Sequence, residues 1–302
     1  MKIVFFGSST FSIPFLEALK EDTVLVVTMP DKPQKRGKNL FPNPVKRSAI
    51  ELGLPFVTVE KFDLSCKDRI ESVSPDLFVV VSFGKIIPDY ILFIAQCALN
   101  LHPSELPLYR GAAPIERQIM DGVTKSTISV MAINEKLDKG GVFLKQPFEI
   151  SFDDTREAVE QKIINMGIPL LKQAISMVKS GSYSEITQQG KGSYAKKITK
   201  EDELIHWEED NVHIYNKIRA LYPSPASFTF FRGKRLKLFK ANTLDLDKGV
   251  PGEIIDLLKE GFVVQCGAGA LLIKEVQIEG KRRICASEFI NGARLKIGEK
   301  LG

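Results

Sequence analysis

Short, almost continuously apolar runs constrain the fold of this chain of 302 residues more than any other feature. Residues 2–6 and 23–28 are such runs, residues 11–19 between them have helical spacing, and residues 76–82 form a further run. Strands that are buried on both faces have this pattern, and they belong mostly to parallel sheets. The order strand, loop, helix, strand predicts a doubly wound, Rossmann-like α/β domain with a mostly parallel sheet.

The first turn of this predicted domain contains a single glycine, Gly7. A dinucleotide-binding turn has the pattern Gly-X-Gly-X-X-Gly, whose glycines let the backbone approach the pyrophosphate. Because that pattern is absent, the sequence argues against chemistry with NAD or FAD.

A carboxamide and an imidazole lie two residues apart on another apolar run, which starts at Ala98. Successive side chains of a strand point to opposite faces, so Asn100 and His102 share one face. The chain then crosses a loop with Pro and Gly and enters a helix near Pro114. In open α/β sheets the carboxyl ends of the strands open into the crevice that binds ligands. We therefore predict that Asn100 and His102 face a ligand.

Asp138 lies in a Gly-containing turn between two further predicted strands, 126–133 and 142–150. An aspartate in a turn is most often a local partner of backbone N–H groups, and the residues alone leave this interpretation open. The alternative is that Asp138 folds against His102, favours its imidazolium form and orients the ring.

An amide donor, an imidazole and a carboxylate together suit acyl transfer through a tetrahedral intermediate. Ser104 is close to His102, but no Gly-X-Ser-X-Gly pattern surrounds it, so a serine nucleophile is not predicted. Direct attack by the amine of an acceptor is simpler, since an α-amino group with a pKa of roughly 7.7–8.0 is partly neutral at physiological pH. The protein would then position the amine, stabilise the oxyanion and move protons.

Residues 83–88 form a loop at the carboxyl end of a predicted central strand. The loop has few side-chain donors but several backbone groups, and Phe83 and Ile87 offer apolar walls. A flat heterocycle could bind there through backbone hydrogen bonds. An ordinary loop between a strand and a helix is the alternative interpretation.

The net charge of +5 is modest, but the cations are clustered. Between Asp31 and Arg47 there are six Lys or Arg residues against one acid, and from Asn211 to the end there are 16 against nine. Prolines and a glycine interrupt residues 31–44, which predicts a long loop. Such clusters favour polyanions such as nucleic acid, and a solvated surface is the alternative.

The composition changes at residues 182–205, which are polar and Gly-containing and predict a surface linker. Residues 206–302 contain five short strand-like runs separated by turns, which predicts a small β-barrel of the oligonucleotide-binding type. We therefore predict a catalytic domain over 1–181, a linker over 182–205 and a barrel over 206–302.

The four cysteines, Cys66, Cys97, Cys266 and Cys285, are scattered along the chain. Their spacing argues against zinc and against a disulfide framework, and it fits a reducing compartment.

No apolar run approaches the ~20 residues of a transmembrane helix, and the N-terminal run is predicted to be a first strand and not a signal peptide. We expect a cytoplasmic protein that binds no metal.

Several motifs, in order along nearly the whole chain, resemble those of the folate-dependent formyltransferases. They are Gly7 with the helix from Phe11, the arm 31–46, Asn100-Leu101-His102-Pro103-Ser104 with Leu106-Pro107, Tyr109-Arg110-Gly111-Ala112-Ala113-Pro114-Ile115, Leu137-Asp138-Lys139-Gly140, Tyr194-Ala195-Lys196-Lys197-Ile198 and residues 218–225. The resemblance implies 10-formyltetrahydrofolate as the formyl donor. Through the basic arm and the C-terminal domain, it also implies the amine of methionyl initiator tRNA as the acceptor.

The resemblance also implies roles for individual residues. By similarity, Asn100 and His102 polarise the formyl group, Asp138 supports His102 and the proton transfer, and the pterin lies against residues 83–88. The residues expected to bind folate are Phe83, Gly84, Lys85, Ile86, Ile87, Pro88, Ser104, Leu106 and Pro107, and those expected to bind tRNA are Lys35, Arg36, Lys38 and Arg110. No metal is implied, and nothing demands more than a monomer.

Two positions depart from the family pattern. Glu105 stands where the tRNA-directed members usually have leucine, and Gly141 stands where a second acid is frequent; both concern the fine shape of the pocket.

The alternative functions are formyl transfer to an amino sugar, hydrolysis of formyl-folate, and non-catalytic RNA binding. The basic arm and the barrel argue against the first two, and the intact Asn100, His102 and Asp138 argue against the third.

Overall fold

The computed structural model describes residues 1–33 and 40–302, and the apolar runs predicted to be strands are strands in it. The strands are β1 Ile3–Gly7, β2 Thr23–Thr28, β3 Lys32–Pro33, β4 Leu40–Phe41, β5 Phe56–Thr58, β6 Leu77–Val81, β7 Cys97–His102, β8 Arg110–Gly111, β9 Lys125–Ala132, β10 Val142–Glu149, β11 Tyr194–Ala195, β12 Ser227–Phe231, β13 Lys234–Leu244, β14 Ile254–Leu258, β15 Gly261–Gln265, β16 Ala270–Ile278 and β17 Ile284–Cys285. The helices are α1 Ile13–Ala18, α2 Pro44–Glu51, α3 Leu64–Glu71, α4 Asp89–Leu92, α5 Pro114–Met120, α6 Arg156–Ser180, α7 Lys200–Glu203, α8 Asn211–Ala220 and α9 Ala286–Ala293.

The first sheet has seven strands in the order β10-β9-β7-β6-β1-β2-β5. The strands from β7 to β5 are parallel, and β9 is antiparallel to β7. The order reverses at β1, because β2 and β5 are added on one side and β6 and β7 on the other. In doubly wound folds the crevice for ligands lies at the strand ends of this switch point. The predicted α/β domain with a mostly parallel sheet is thus confirmed.

The centre of the first sheet is buried on both faces. Every residue of β1 and β6 is buried, which explains why their sequences are apolar without alternation. Phe6 and Phe78 meet edge to face with ring centroids 5.1 Å apart. Complete burial of such a side chain contributes roughly 1.5–3 kcal/mol, so these strands form a rigid support for the loops at their carboxyl ends.

A separate antiparallel sheet is formed by the C-terminal strands, in the order β12-β13-β16-β15-β14, with β17 paired to β16. The last residues of the chain connect its two edges. The Leu301 N–H donates to the Gly252 carbonyl beside β14 at 2.8 Å, and the Gly302 N–H donates to the Phe230 carbonyl of β12 at 3.0 Å. These contacts join the edge strands. The sequence predicts a separate β-structure in the C-terminal region, and the structure confirms it as an antiparallel sheet.

The core of this second sheet contains the single tryptophan of the chain, Trp207, which is 3% exposed. Its indole Nε1 donates to the Thr229 hydroxyl at 3.0 Å, because a buried N–H group requires an acceptor. Phe262 and Phe289 belong to the same core, with ring centroids 6.0 Å apart.

Contacts divide the chain into two units, each of which is interrupted in sequence. The first comprises 1–112, 126–148 and 160–195, and the second comprises 113–125, 149–159 and 196–302. The sequence predicts three continuous ranges instead, 1–181, 182–205 and 206–302. These continuous ranges stay a prediction.

Candidate active site

Strand β7 carries Asn100 and His102 at its carboxyl end, between β6 and β9. Asn100 is level with Val80 of β6, and His102 is level with Ser129 of β9. The imidazole is only 4% exposed, whereas Asn100 is half-buried. The strand therefore presents both groups on one face, as their spacing predicts.

The turn between β9 and β10 brings Asp138 to this face. Its Oδ2 accepts a hydrogen bond from the Gly111 N–H at 2.7 Å and lies 3.9 Å from Nδ1 of His102. Its Oδ1 accepts a hydrogen bond from Nδ2 of Asn100 at 3.4 Å. The carboxylate thus pairs with a backbone group 27 residues away in sequence, and not with its own turn. The structure brings the three residues together, while their catalytic roles stay a prediction.

The hydrogen bond at Nε2 determines how His102 carries its protons. Nε2 lies 2.9 Å from the Tyr109 carbonyl oxygen, and because a carbonyl only accepts, Nε2 must donate. The other ring nitrogen, Nδ1, faces the Asp138 carboxylate. When Nδ1 is protonated, the nearby Asp138 carboxylate attracts the charged ring.

The loop after His102 is held by its own polar groups. Ser104 is fully buried, its hydroxyl donates to the Leu108 carbonyl at 2.7 Å, and its carbonyl accepts a bond from the Ser129 hydroxyl at 2.8 Å. Leu106 is also buried, in a small apolar cluster with Met131. The side chains of Ser104 and Leu106 therefore point into the protein. Folate contacts by Ser104, Leu106 and Pro107 stay a prediction.

Glu105, which departs from the family pattern, ties the same loop to β9 and β10. Its carboxylate accepts hydrogen bonds from the Thr127 hydroxyl and from Nζ of Lys145, the latter at 2.5 Å. Lys145 also donates to the Leu106 carbonyl at 3.2 Å. Burial raises the pKa of the Glu105 carboxyl, but the bonds from Lys145 and Thr127 outweigh it and hold that pKa below its usual range. Glu105 thus fixes the loop in place.

The loop 83–88 lies at the carboxyl end of β6, as predicted. The Phe83 ring meets Phe6 edge to face at 5.5 Å, Ile87 is buried, and Ile86 is 69% exposed. The Gly84 N–H donates weakly to the Ser8 hydroxyl at 3.3 Å. Within residues 1–33 and 40–302, no protein acceptor is found for the backbone N–H of Ile86 or Ile87. The loop thus combines an apolar wall with backbone groups that can meet a heterocycle.

The base of the basic arm is held by Asp31. Its carboxylate accepts hydrogen bonds from the Asn43 N–H at 2.9 Å and from Nζ of Lys46 at 2.7 Å. The bond from Lys46 holds the pKa of Asp31 below its usual range. One cation of the arm is thus paired. The three cations predicted to bind tRNA from this arm lie outside the described residues; they are Lys35, Arg36 and Lys38.

Arg110, also predicted to bind tRNA, is engaged beside the candidate site. Its Nε donates to the Asp138 carbonyl at 3.0 Å and to Oε1 of Gln188 at 3.1 Å, and its Nη2 donates to the same Oε1 at 2.7 Å. A role for Arg110 in tRNA binding stays a prediction. Gln188 does not stand out in the sequence, because it lies in a polar run typical of a linker and meets Asp138 only in the fold.

The second unit carries cations stacked on aromatic rings. The Arg235 guanidinium lies 4.3 Å from the ring centroid of Phe228. The Arg283 guanidinium lies 4.1 Å from the Phe239 centroid and donates to the Glu275 carboxylate at 2.6 Å. Guanidinium and aromatic groups side by side suit contacts with nucleic acid.

The cysteines are free thiols in the structure. Burial raises the pKa of Cys66 and Cys97 to about 11 and that of Cys266 to about 12, so these thiols are protonated at neutral pH.

Across the described part of the chain, no three His, Cys, Asp or Glu side chains are grouped as a metal site would need. Nor does any described helix combine the length and apolarity needed to span a membrane.

Two family models together match most of the chain. The model described as "Formyl transferase" matches residues 1–175, and the model described as "Formyl transferase, C-terminal domain" matches residues 197–294.

Known proteins agree with these models. The methionyl-tRNA formyltransferase of Dictyoglomus thermophilum is 40% identical, with 99% of each chain covered. Among solved structures, HypX from Aquifex aeolicus in complex with tetrahydrofolic acid has a TM-score of 0.68 at 18% identity over 99% of this chain, which spans about half (48%) of that protein. The methionyl-tRNA formyltransferase from Clostridium thermocellum has a TM-score of 0.57 at 18% identity, with 80% of this chain and 93% of that chain covered.

The solved structures, at these identities, show likeness of fold. The family models and the relative that matches along the full length show the family. The chain therefore belongs to the formyl transferases, and within them to the methionyl-tRNA formyltransferase family.

Proposed function

We propose that this enzyme transfers the formyl group of 10-formyltetrahydrofolate to the α-amino group of methionyl initiator tRNA, giving N-formylmethionyl-tRNA for translation initiation. The observation that carries the proposal is the contact of Asn100, His102 and Asp138 at the end of β7. It occurs in a chain 40% identical, over nearly its full length, to a methionyl-tRNA formyltransferase. An amide donor, an imidazole and a carboxylate are the groups that acyl transfer to an amine requires.

The reaction begins when the amine nitrogen attacks the formyl carbon. A C–N bond forms, and the formyl oxygen takes up negative charge. Nδ2 of Asn100 and the Nδ1–H of protonated His102 donate to that oxygen. The intermediate then collapses, the bond between the formyl carbon and N10 of the folate breaks, and the proton lost by the amine is returned to N10. Removal of one such oxyanion donor typically lowers kcat by ~10²–10³-fold.

The distance between His102 and Asp138 supports this division of roles. At 3.9 Å, Nδ1 is beyond hydrogen-bond distance of the carboxylate. An Nδ1–H is therefore not committed to Asp138 and can meet the substrate, while the charge of Asp138 still attracts the imidazolium. Asp138 thus keeps a protonated His102 in place, and its carboxylate can accept the proton of the attacking amine through water.

For the folate, we assign binding to Phe83, Gly84, Lys85, Ile86, Ile87 and Pro88, with the loop of Ser104, Leu106 and Pro107 beside it. The backbone N–H groups of Ile86 and Ile87 support this assignment, since the described residues offer them no acceptor. Because the side chains of Ser104 and Leu106 are buried, the second loop would contribute backbone groups and shape. No metal is needed for this chemistry.

For the tRNA, we assign binding to Lys35, Arg36 and Lys38 of the arm and to Arg110. Stacked cations of the second unit, such as Arg235, would hold the tRNA body. Phosphate contacts of this kind release counterions, so affinity should fall as salt is added. The enzyme is proposed to act as a monomer in the cytoplasm.

The test is mass spectrometry of methionyl-tRNA after incubation with the enzyme and 10-formyltetrahydrofolate. We expect the aminoacyl group to gain the mass of one formyl group, and an equal amount of tetrahydrofolate to appear. Amino sugars and water are offered as competing acceptors in parallel reactions. Formylation of an amino sugar in place of the tRNA, or release of formate without an acceptor, would contradict the proposed acceptor while leaving the formyl chemistry in place.

A further inference from the structure

The segment 182–195 belongs to the stretch 182–205 that the sequence predicts to be a linker, and it is part of the framework of the candidate active site. Ile186 and Val142 of β10 exchange two backbone hydrogen bonds of 2.9 Å. Further along, the Ser193 hydroxyl accepts a hydrogen bond from the Tyr109 N–H at 2.9 Å, and the Ser193 carbonyl accepts one from the Arg110 N–H at 3.0 Å. The segment therefore contacts the two stretches that carry Asp138 and the Tyr109 carbonyl.

Gln188 is the side chain of this segment that reaches the Asp138 turn. Its Nε2 donates to the Asp138 carbonyl at 3.0 Å and to the Gly140 carbonyl at 2.8 Å. Its Oε1 accepts hydrogen bonds from Nη2 and Nε of Arg110 at 2.7 and 3.1 Å. Carbonyls only accept and a guanidinium only donates, so the orientation of this carboxamide is determined. Both Oε1 and Nε2 of the amide are therefore hydrogen-bonded.

The turn that Gln188 holds has a conformation that needs support. Asp138 has a φ of +52°, in the left-handed region, which is uncommon for a residue with a side chain. Gly140, two residues after Asp138, is packed so closely against β9 that a Cβ atom there would lie 1.8 Å from the Ala132 carbonyl oxygen. Without the two N–H donors of Gln188, the carbonyls of Asp138 and Gly140 lose partners inside a half-buried site. The turn can then relax, and the carboxylate moves relative to His102.

We propose that Gln188 is a positioning residue for formyl transfer, which holds the Asp138 carboxylate at its distance from His102 and Gly111. This inference rests on the proposed role of Asp138. Gln188 touches only the backbone of the turn and Arg110, and no reacting atom. A misplacement of about 1 Å at a catalytic group can cost ~10²-fold in rate, so its removal should act on turnover.

The experiment compares Gln188→Ala with Gln189→Ala, the same substitution at the neighbouring exposed glutamine. We expect kcat of Gln188→Ala to fall by ~10–10²-fold, with the KM values for folate and tRNA within twofold of wild type. Gln189→Ala should match wild type. Gln188→Glu keeps the length and an acceptor for Arg110 but removes both N–H donors, so it should lose kcat as well. It also replaces Gln188→Ala in the test if that variant fails to fold.

The second readout follows the His102 imidazole by NMR of the ring nitrogens and their protons. The chain has three histidines, and His206 and His213 serve as internal references. We expect the His102 ring signals to shift in both Gln188 variants and not in Gln189→Ala, while the two references stay in place. Wild-type kcat together with unmoved His102 signals would overturn the inference. A normal rate in Asp138→Asn would instead overturn the role of Asp138, and an inactive wild-type protein would overturn the proposed function.

Discussion

Two aspartates, one in each unit, both have side chains that are largely shielded from solvent, but their hydrogen-bond partners differ. The Asp138 side chain is 11% exposed and the Asp202 side chain is 21% exposed. Asp202 forms a two-pronged pair with Arg117, whose Nη1 and Nη2 donate to Oδ1 and Oδ2 at 2.6 and 2.7 Å. A fixed cation of this kind neutralises the carboxylate permanently.

Asp138 has no such cation on its carboxylate among the described residues. Its oxygens accept hydrogen bonds from the Gly111 N–H and the Asn100 amide and lie 3.9 Å from Nδ1 of His102, and Arg110 binds the Asp138 carbonyl instead. Neutral donors orient a carboxylate but leave its charge to act on a nearby imidazole. The difference separates a carboxylate whose charge is paired within the fold from one that we propose takes part in proton transfer.

The largest effect that we expect comes from His102→Ala. If the proposed roles hold, loss of the imidazole removes an oxyanion donor and the group on which Asp138 acts, so formyl transfer should fall at least ~10²-fold. The affinity for tRNA should stay within twofold, measured by filter binding beside single-turnover rates. His206→Ala, at an exposed histidine of the second unit, is the control. Near wild-type turnover in His102→Ala would remove the catalytic distinction between the two aspartates.

A substitution at Gly140 should disturb the packing that holds the Asp138 turn. An added methyl group would lie 1.8 Å from the Ala132 carbonyl oxygen, so the backbone must shift. We expect Gly140→Ala to lower the free energy of unfolding in urea by about 2–3 kcal/mol and to slow formyl transfer. Gly292→Ala in α9 is the control, because a methyl group there meets nothing within 4 Å and should stabilise by about 0.4–1 kcal/mol. Unchanged stability in Gly140→Ala would show that the turn is freely adaptable.

The stabilising role of the other aspartate predicts a pH dependence. Hydrogen bonds from Arg117 lower the pKa of Asp202 from 3.8 to about 2. Because the pKa is lower in the folded state than in the unfolded state, the pair stabilises the fold above about pH 4, and this contribution is lost as the pH falls toward about 2. After a discount for partial exposure, we expect Asp202→Asn to cost about 1–2 kcal/mol at pH 6.

Urea unfolding of wild type and Asp202→Asn at pH 6 and at pH 3 measures this dependence. The difference between the two proteins should shrink at the lower pH. Asp68→Asn, at an exposed aspartate of α3, should show no difference at either pH. A difference for Asp202→Asn that is independent of pH would mean that the carboxylate charge does not stabilise the fold.

The smallest effect concerns the surface of the second unit. Arg235 stacks on Phe228 and has no ion pair within the described residues, whereas Arg232 is paired with Glu299 at 2.5 Å. We expect Arg235→Gln to raise the KM for tRNA a few-fold and to reduce the slope of log affinity against log salt by about 1, with kcat unchanged. Arg232→Gln should change neither. An equal effect of both variants would indicate loss of the local fold and not of a phosphate contact.

Local patterns in the sequence predict the elements that carry the candidate active site. The period of two places Asn100 and His102 on one face, and the continuous apolar runs reveal the parallel strands. Local patterns do not reveal α3, whose sequence from Leu64 to Glu71 is mostly polar; the Asp63 carboxylate, which accepts a hydrogen bond from the Cys66 N–H at 2.9 Å, starts this helix.

The supports of the site cannot be predicted in the same way. Gln188 meets the Asp138 carbonyl across 50 residues of sequence, and no pattern within the polar run distinguishes Gln188 from the neighbouring Gln189. Ser104 is close to His102 in sequence and carries a hydroxyl, which is typical of a ligand contact, but Leu108 and Ser129 occupy its polar groups in the fold. Such contacts depend on which loops the sheet brings together, and they become visible only in the fold.

The buried position of Trp207 makes the second unit optically distinct from the first. Its indole is 3% exposed and bound to the Thr229 hydroxyl, and no other tryptophan occurs in the chain. Its fluorescence will therefore report the opening of the second unit alone, whereas circular dichroism at far-ultraviolet wavelengths averages over both. Recording the two signals during one denaturation will show directly whether the first and second units unfold together or separately.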